Sequence, residues 1–221
     1  VVDMFTTSRR SSTLNIQYEK AFITSLPVME EVVRDLNLNI TYYSRGRIKT
    51  TERYGTGPVK VSFDETSSSI PYGLEIVIEP KADHHYALYT EDETWQPRFD
   101  DKVFRFDEPA QVGNFTFTIT NGGSLETGDW IFVLKPVESV AHQLAGRINI
   151  SQVNNYSRSR NSIMQLTMYS TLPHKDRQIL DKLLEVIRKA DIQRKIEQST
   201  KTISFIDQKM NELSDSMRVI A

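Results

Sequence analysis

Few residues in this chain have the type and spacing that chemistry needs. Asp83-His84-His85 is the only histidine cluster, and a carboxylate beside two imidazoles has the donor atoms of a metal site. Neighbours on a strand point to opposite faces, however, so one segment cannot readily chelate with both histidines, and a solvated turn is the favoured reading. His142 and His174 stand without a motif. Trp95 lies in an acidic stretch, Glu91-Asp92-Glu93-Thr94-Trp95, with Tyr86 and Tyr89 upstream. An exposed indole beside carboxylates can stack on the apolar C–H face of a sugar, so Trp95 is a weak candidate glycan contact, while packing over its own domain is the favoured reading. Trp130 sits within a strand pattern and reads as core.

Four Asn-X-Ser/Thr triplets occur, at Asn39, Asn114, Asn149 and Asn155. Three run into strand patterns, which favours chance matches to the glycosylation sequon. Arg158 and Arg160 lie in a polar stretch, Tyr156 to Asn161, that could touch a phosphate or an acidic glycan but reads first as a solvated turn. There is no phosphate-binding loop, nucleophile elbow, paired-histidine metal spacing or dinucleotide fingerprint. The residues therefore name no catalytic group, no cofactor and no metal ligand set, and they point to a non-catalytic scaffold.

Composition narrows the classes further. The 221 residues carry 27 basic and 29 acidic side chains, a net charge of -2, without the basic bias of a nucleic-acid partner. Hydrophobic residues make up 38% and charged residues 25%, enough for an ordered core. Cysteine is absent, which excludes disulfides, Cys-ligated zinc and thiol catalysis. No apolar run reaches the roughly 20 residues that span a bilayer, and the first residues lack a signal-peptide pattern.

The elements that would hold these residues alternate in texture. Asn15 to Leu38 reads as helical, broken near Ser25-Leu26-Pro27, with Val28, Met29, Val32, Val33 and Leu36 on one face. Short β runs follow at 40–43, 48–54, 59–63, 74–78, 86–89, 103–106, 115–119 and 130–135. Phe115, Phe117 and Ile119 alternate with threonines, as a half-buried strand should. A helix over 137–145, with Val140, Ala141 and Leu144 on one face, and strands over 148–153 and 163–169 come next. The order predicts an α+β fold with a β-rich block inserted between elements that pack together.

The last third predicts a single long helix. From Pro173 to Ala221 there is no Gly and no further Pro, and Pro173 suits a first helical turn. At about 1.5 Å per residue it would span roughly 70 Å, too long for a compact domain to need. It reaches Ala221 without a closing Gly or Asn, so the sequence is expected to be a piece of a larger protein. Its first half carries a broad stripe of Ile179, Leu180, Leu183, Leu184, Ile187 and Ala190. Farther on, Ile196, Ile203, Ile206, Met210, Leu213, Met217 and Ile220 share a stripe that follows steps of three and four from Ile203 onward. That narrower stripe is a candidate helix-pairing seam, which needs a facing helix.

Several residue strings carry a resemblance. Leu14 to Glu19 with Val28 to Leu38, Glu52-Arg53-Tyr54 before Pro58-Val59, Val112 to Phe115 with Gly128 to Val133, Leu166-Thr167-Met168 before Pro173, and Ile206-Asp207-Gln208 resemble, in order and spacing, the bacterial polysaccharide co-polymerases. These are the chain-length determinant proteins, and the likeness is to the type fused to a cytoplasmic tyrosine autokinase. The resemblance covers nearly the whole chain. It implies a periplasmic domain at the inner membrane, anchored by flanking transmembrane helices and forming a homo-oligomeric ring. Such a ring regulates the length and export of capsular polysaccharide, exopolysaccharide or O-antigen. Implied partners are a polysaccharide polymerase and an outer-membrane export protein. The implied architecture is a membrane-proximal α/β base, from 1–43 and 136–190, an inserted jelly-roll-like module over 44–135, and a projecting coiled-coil helix starting at 191–221. The family's Pro-rich segment and kinase, with its phosphate loop, do not occur in these residues, so kinase activity would belong to a parent protein. Two other readings stay open: a periplasmic adaptor of an efflux or secretion system, and a glycan-binding module.

Overall fold

The computed structural model describes residues 17–46, 49–123, 129–153, 163–169 and 171–220. The fold is α+β and carries a long C-terminal helix. It divides into two compact units, one formed by residues 33–146 and the other by the described residues up to Val32 together with Arg147 onward.

In the first unit, nine strands among the described residues pair antiparallel into two sheets. A six-stranded sheet runs β2 (Thr50–Arg53), β1 (Ile40–Arg45), β9 (Asp129–Leu134), β4 (Glu75–Pro80), β5 (His85–Tyr89) and β6 (Phe104–Arg105). A three-stranded sheet runs β3 (Val59–Phe63), β8 (Phe115–Asn121) and β7 (Pro109–Val112). Alternation decides which face each strand buries. Along β8, Phe115, Phe117 and Ile119 are fully buried while the threonines between them are not. The two sheets turn such faces into one core: Ile40, Ile76, Ile78, Leu88, Phe132 and Leu134 from the larger meet Val59, Val61, Val112, Phe115, Phe117 and Ile119 from the smaller. Aromatic rings fill its centre, with Phe115 stacked on Phe117 at 5.0 Å and Tyr86 tilted against Phe106 at 4.6 Å. The unit ends with α4 (Val137–Arg147), which buries Val137, Ala141 and Leu144 and leaves Val140 half-buried.

Residues 17–23 form α1, and α2 (Leu26–Asp35) follows after a break at Thr24 and Ser25, with Pro27 in the first turn. The helix stops where Asn37 takes a left-handed conformation (φ 50°). The Asn37 and Leu38 N–H groups then bond the Arg34 and Val33 carbonyls at 3.1 and 2.9 Å. This is the Schellman arrangement, with Asn in the place usually taken by Gly.

The second unit contains α1, the start of α2, the hairpin β10 (Asn149–Val153) and β11 (Ile163–Thr167), and α5 (Pro173–Ile220). Its buried apolar residues include Ile23, Val28, Met29, Val32 and Ile148, with Ile179, Leu183 and Val186 from α5. The buried stripe of α5 is narrower than the sequence suggested. Val186 enters it, and Leu184 turns outward at 50% exposure, because steps of four and three from Ile179 select Leu183 and Val186. Contacts among the described residues that fasten α5 include the following three. Arg147 meets Asp176 at 3.2 Å, Lys189 meets Glu31 at 2.7 Å, and the Arg194 guanidinium lies 3.7 Å from the centre of the Phe22 ring.

Candidate helix-pairing surface

At 48 residues, α5 is about 72 Å long, at 1.5 Å per residue. Only its first turns are packed. From Ile192 through Glu212 every residue is exposed or nearly so, including Ile192, Ile196, Ile203, Ile206 and Met210 at 50 to 64%. These five fall on one side of the helix. The steps Ile192, Ile196, Ser199, Ile203, Ile206, Met210 alternate four and three, which is a heptad seam with one polar position at Ser199. The expected seam residues Ile203, Ile206 and Met210 are thus brought into one line. Leu213, Met217 and Ile220 continue the same register along the helix backbone, and their side chains lie outside the described residues.

Sequence reasoning placed Ile196 on the stripe but missed Ile192 and took the regular steps to begin only at Ile203, because Ser199 interrupts the apolar pattern. The signal was the spacing itself: Ile192 and Ile196 keep register with Ile203 only if a polar residue is allowed at one position. Phe205, 58% exposed, lies off the line, where the Lys209 ammonium stands 5.9 Å from the centre of its ring.

Polar groups on the other sides hold the helix together in water. Lys195 pairs with Asp191 at 2.8 Å and Lys209 with Glu212 at 2.6 Å, while Gln193 and Gln208 donate to Glu197 and Glu212. The Lys195 hydrogen bond, together with its charge, holds the Asp191 carboxyl below the usual carboxylate range. Thr200 and Thr202 return their hydroxyls to the Ile196 and Gln198 carbonyls, both at 2.9 Å. Such pairs contribute only about 0.2–0.5 kcal/mol each. Burying one exposed isoleucine is worth about 1.5–3 kcal/mol. The seam is therefore the largest unused source of stability on this helix.

Trp95 is not an exposed platform, a correction to the glycan-contact expectation. It is 9% exposed, stacked on Phe99 at 5.8 Å and edge-on to Phe115 at 6.2 Å, with the Arg98 guanidinium 4.7 Å from its ring centre. The acidic residues that suggested a surface act locally instead, since Asp92 Oδ1 accepts the N–H groups of Thr94 and Trp95, both at 3.0 Å. That turn leads into α3 (Gln96–Phe99), which buries Phe99. Trp130 is partly buried against the core.

His84 and His85 are not brought together as a chelate. His84 Nε2 pairs with Asp107 Oδ2 at 2.8 Å, and both residues take left-handed backbone angles (φ 63° and 65°). Among the described residues, no three His, Cys, Asp or Glu side chains gather as a metal site. Asn39, of the first sequon, is 5% exposed and donates to Glu65 at 3.3 Å. Asn155 and the arginine-bearing segment 156–161 lie outside the described residues. Among the described residues, no helix is long and apolar enough to cross a membrane. Comparison of the sequence with protein-family models and with curated proteins returns no match.

Proposed function

We propose that this chain is the periplasmic domain of a bacterial inner-membrane polysaccharide co-polymerase, a regulator of polymer length and export that assembles as a homo-oligomer. In this reading residues 44–135 are the jelly-roll-like module, residues 1–43 and 136–190 the membrane-proximal base, and α5 projects from about residue 191 to pair with a further helix. The domain acts by assembly, beside a polymerase and an outer-membrane export protein, and any tyrosine kinase activity belongs to a cytoplasmic part of the parent protein.

The observation that carries the reading is the seam, with apolar side chains in heptad register along α5 and Ile192, Ile196, Ile203, Ile206 and Met210 at 50 to 64% exposure. A helix of this length adds little to a soluble enzyme or to a simple ligand-binding module. An assembly that must span distance and join copies needs it. The resembling residue strings, spread in order along the chain, support the family.

The test uses the full-length parent protein in a bacterium that makes the polymer. Ile203→Asp with Ile206→Asp is expected to leave the protein in the inner membrane while weakening cross-linking between subunits and shifting the polymer length distribution. Recovery of the parent as a soluble protein, or an unchanged cross-linking pattern and polymer profile, would sink the proposal.

A further inference from the structure

The outer face of the six-stranded sheet carries a groove of about 300 Å³ that the helical seam does not explain. Its walls include Arg45 at the end of β1, Glu75 and Val77 on β4, Tyr89 at the end of β5, and Glu91 and Asp92 in the loop that follows. Strand register puts the Arg45, Glu75, Val77 and Tyr89 side chains on one face, over a fully buried Ile131. Tyr43 opposes Ile131, Ile131 opposes Val77 and Val77 opposes Tyr89, while the alternating set with Ile76, Leu88 and Phe132 turns into the core.

Three kinds of group converge there. Tyr89 is 48% exposed and offers an aromatic surface. Arg45 and Glu75 approach to 3.7 Å with both side chains open to water, so a donor fork and an acceptor lie side by side. Glu91 is exposed beside them. The loop wall is held in place: Asp92 caps the turn through one oxygen, and the Thr90 N–H donates to Gln96 Oε1 at 2.8 Å.

We propose that this groove binds a neutral saccharide unit. A sugar ring presents C–H groups to an aromatic face, and each hydroxyl can both donate and accept, which suits a guanidinium next to carboxylates. Three carboxylates against one guanidinium repel an anionic sugar. The site replaces Trp95 as the glycan contact of this domain, and it stands on the sheet alone, independent of the helical seam.

The test is a two-dimensional amide NMR titration of the whole chain with neutral hexose oligosaccharides and with a uronate oligosaccharide of equal length. The neutral sugar is expected to give saturable shifts at millimolar concentration among residues 73–77 and 89–92, and the uronate none. Tyr89→Ala should weaken binding about tenfold, the upper range for one aromatic contact. Glu91→Gln, on an exposed side chain, should weaken it several-fold, and it decides the matter if Tyr89→Ala misfolds. Ile206→Asp should bind as wild type, which separates this inference from the seam. No saturable shifts, equal binding of the uronate, or binding unaffected by Glu91→Gln would overturn it.

Discussion

Arg45 and Glu75 form an ion pair at 3.7 Å although their register partners on β9, Asp129 and Val133, stand four residues apart. The two side chains reach diagonally across the row Tyr43–Ile131–Val77 on the outer face of the sheet. Both remain open to solvent, at 42 and 66% side-chain exposure, so the pair gains little against water. Glu75→Gln is expected to cost less than about 1 kcal/mol in urea unfolding, with the difference shrinking as salt is added. A loss that exceeds this and resists salt would mean that the pair closes over the face more tightly than its exposure shows.

Two tyrosines in the same unit should respond in opposite ways to loss of the hydroxyl. The Tyr42 oxygen accepts the Val61 N–H at 2.8 Å and so joins the larger sheet to β3 of the smaller. The Tyr86 hydroxyl is buried without a hydrogen-bond partner among the described residues. Tyr42→Phe strands the Val61 N–H and should cost about 1 kcal/mol, whereas Tyr86→Phe should be neutral or stabilising. Denaturant midpoints of the two variants check the contrast.

The same phenols set an alkaline limit. Burial raises the Tyr42, Tyr43, Tyr54, Tyr72 and Tyr86 hydroxyls above their ordinary value, with Glu52 and Glu75 adding to the effect at Tyr43. A group that ionises less readily folded than unfolded contributes stability that is complete below its unfolded pKa, near 10 for tyrosine. That contribution disappears as pH climbs above this value. Unfolding free energy is therefore expected to fall between about pH 10 and 12, followed by near-ultraviolet circular dichroism. Tyr86→Phe should blunt the fall, and an unchanged pH profile in that variant would refute the assignment.

Much of this fold was legible in residue order, and the exceptions have physical causes. β8 stood out because Phe115, Phe117 and Ile119 alternate with threonines, and α5 because Gly and Pro are missing after Pro173. β7 was missed: it is four residues long, begins with Pro109 and buries only Val112 fully. α3 was missed because a one-turn helix has no periodicity to read, although Trp95 and Phe99 sit four residues apart, as its buried side requires. Trp95 packs over its own domain, the favoured reading of its sequence, and the carboxylates beside it do not mark a surface platform because Asp92 caps a turn. The seam was readable where apolar steps repeat without a gap and hidden where Ser199 fills one of them.

Asp176 is the one buried carboxylate among the described residues of α5, and its partner shows what a fastening contact is worth. It sits in the first helical turn, where the positive helix end favours an anion, and meets Arg147 at 3.2 Å with its side chain 10% exposed. Asp176→Ala should cost about 2 kcal/mol, since it strips a partly buried guanidinium of its partner. Asp181→Ala, one turn on, removes a pair with Arg177 at 3.7 Å whose side chains are 69 and 82% exposed, and should change stability by no more than about 0.5 kcal/mol.

The two halves of α5 differ in the same way, and that difference separates a core stripe from a partner-seeking one. Ile179 and Leu183 are 1 and 0% exposed, so truncation to Ala should cost about 2–5 kcal/mol and unfold the unit that contains them. Ile203 and Ile206 are 59 and 50% exposed, outside the buried core among the described residues. Ile203→Ser and Ile206→Ser should leave urea unfolding of the isolated chain within about 0.5 kcal/mol of wild type. In the full-length protein the same changes should weaken subunit cross-linking, because there each isoleucine would have a facing helix to lose. If the seam variants destabilise the isolated chain as much as Ile179→Ala does, the seam is already covered within the chain, and the outward-pairing helix has to be given up.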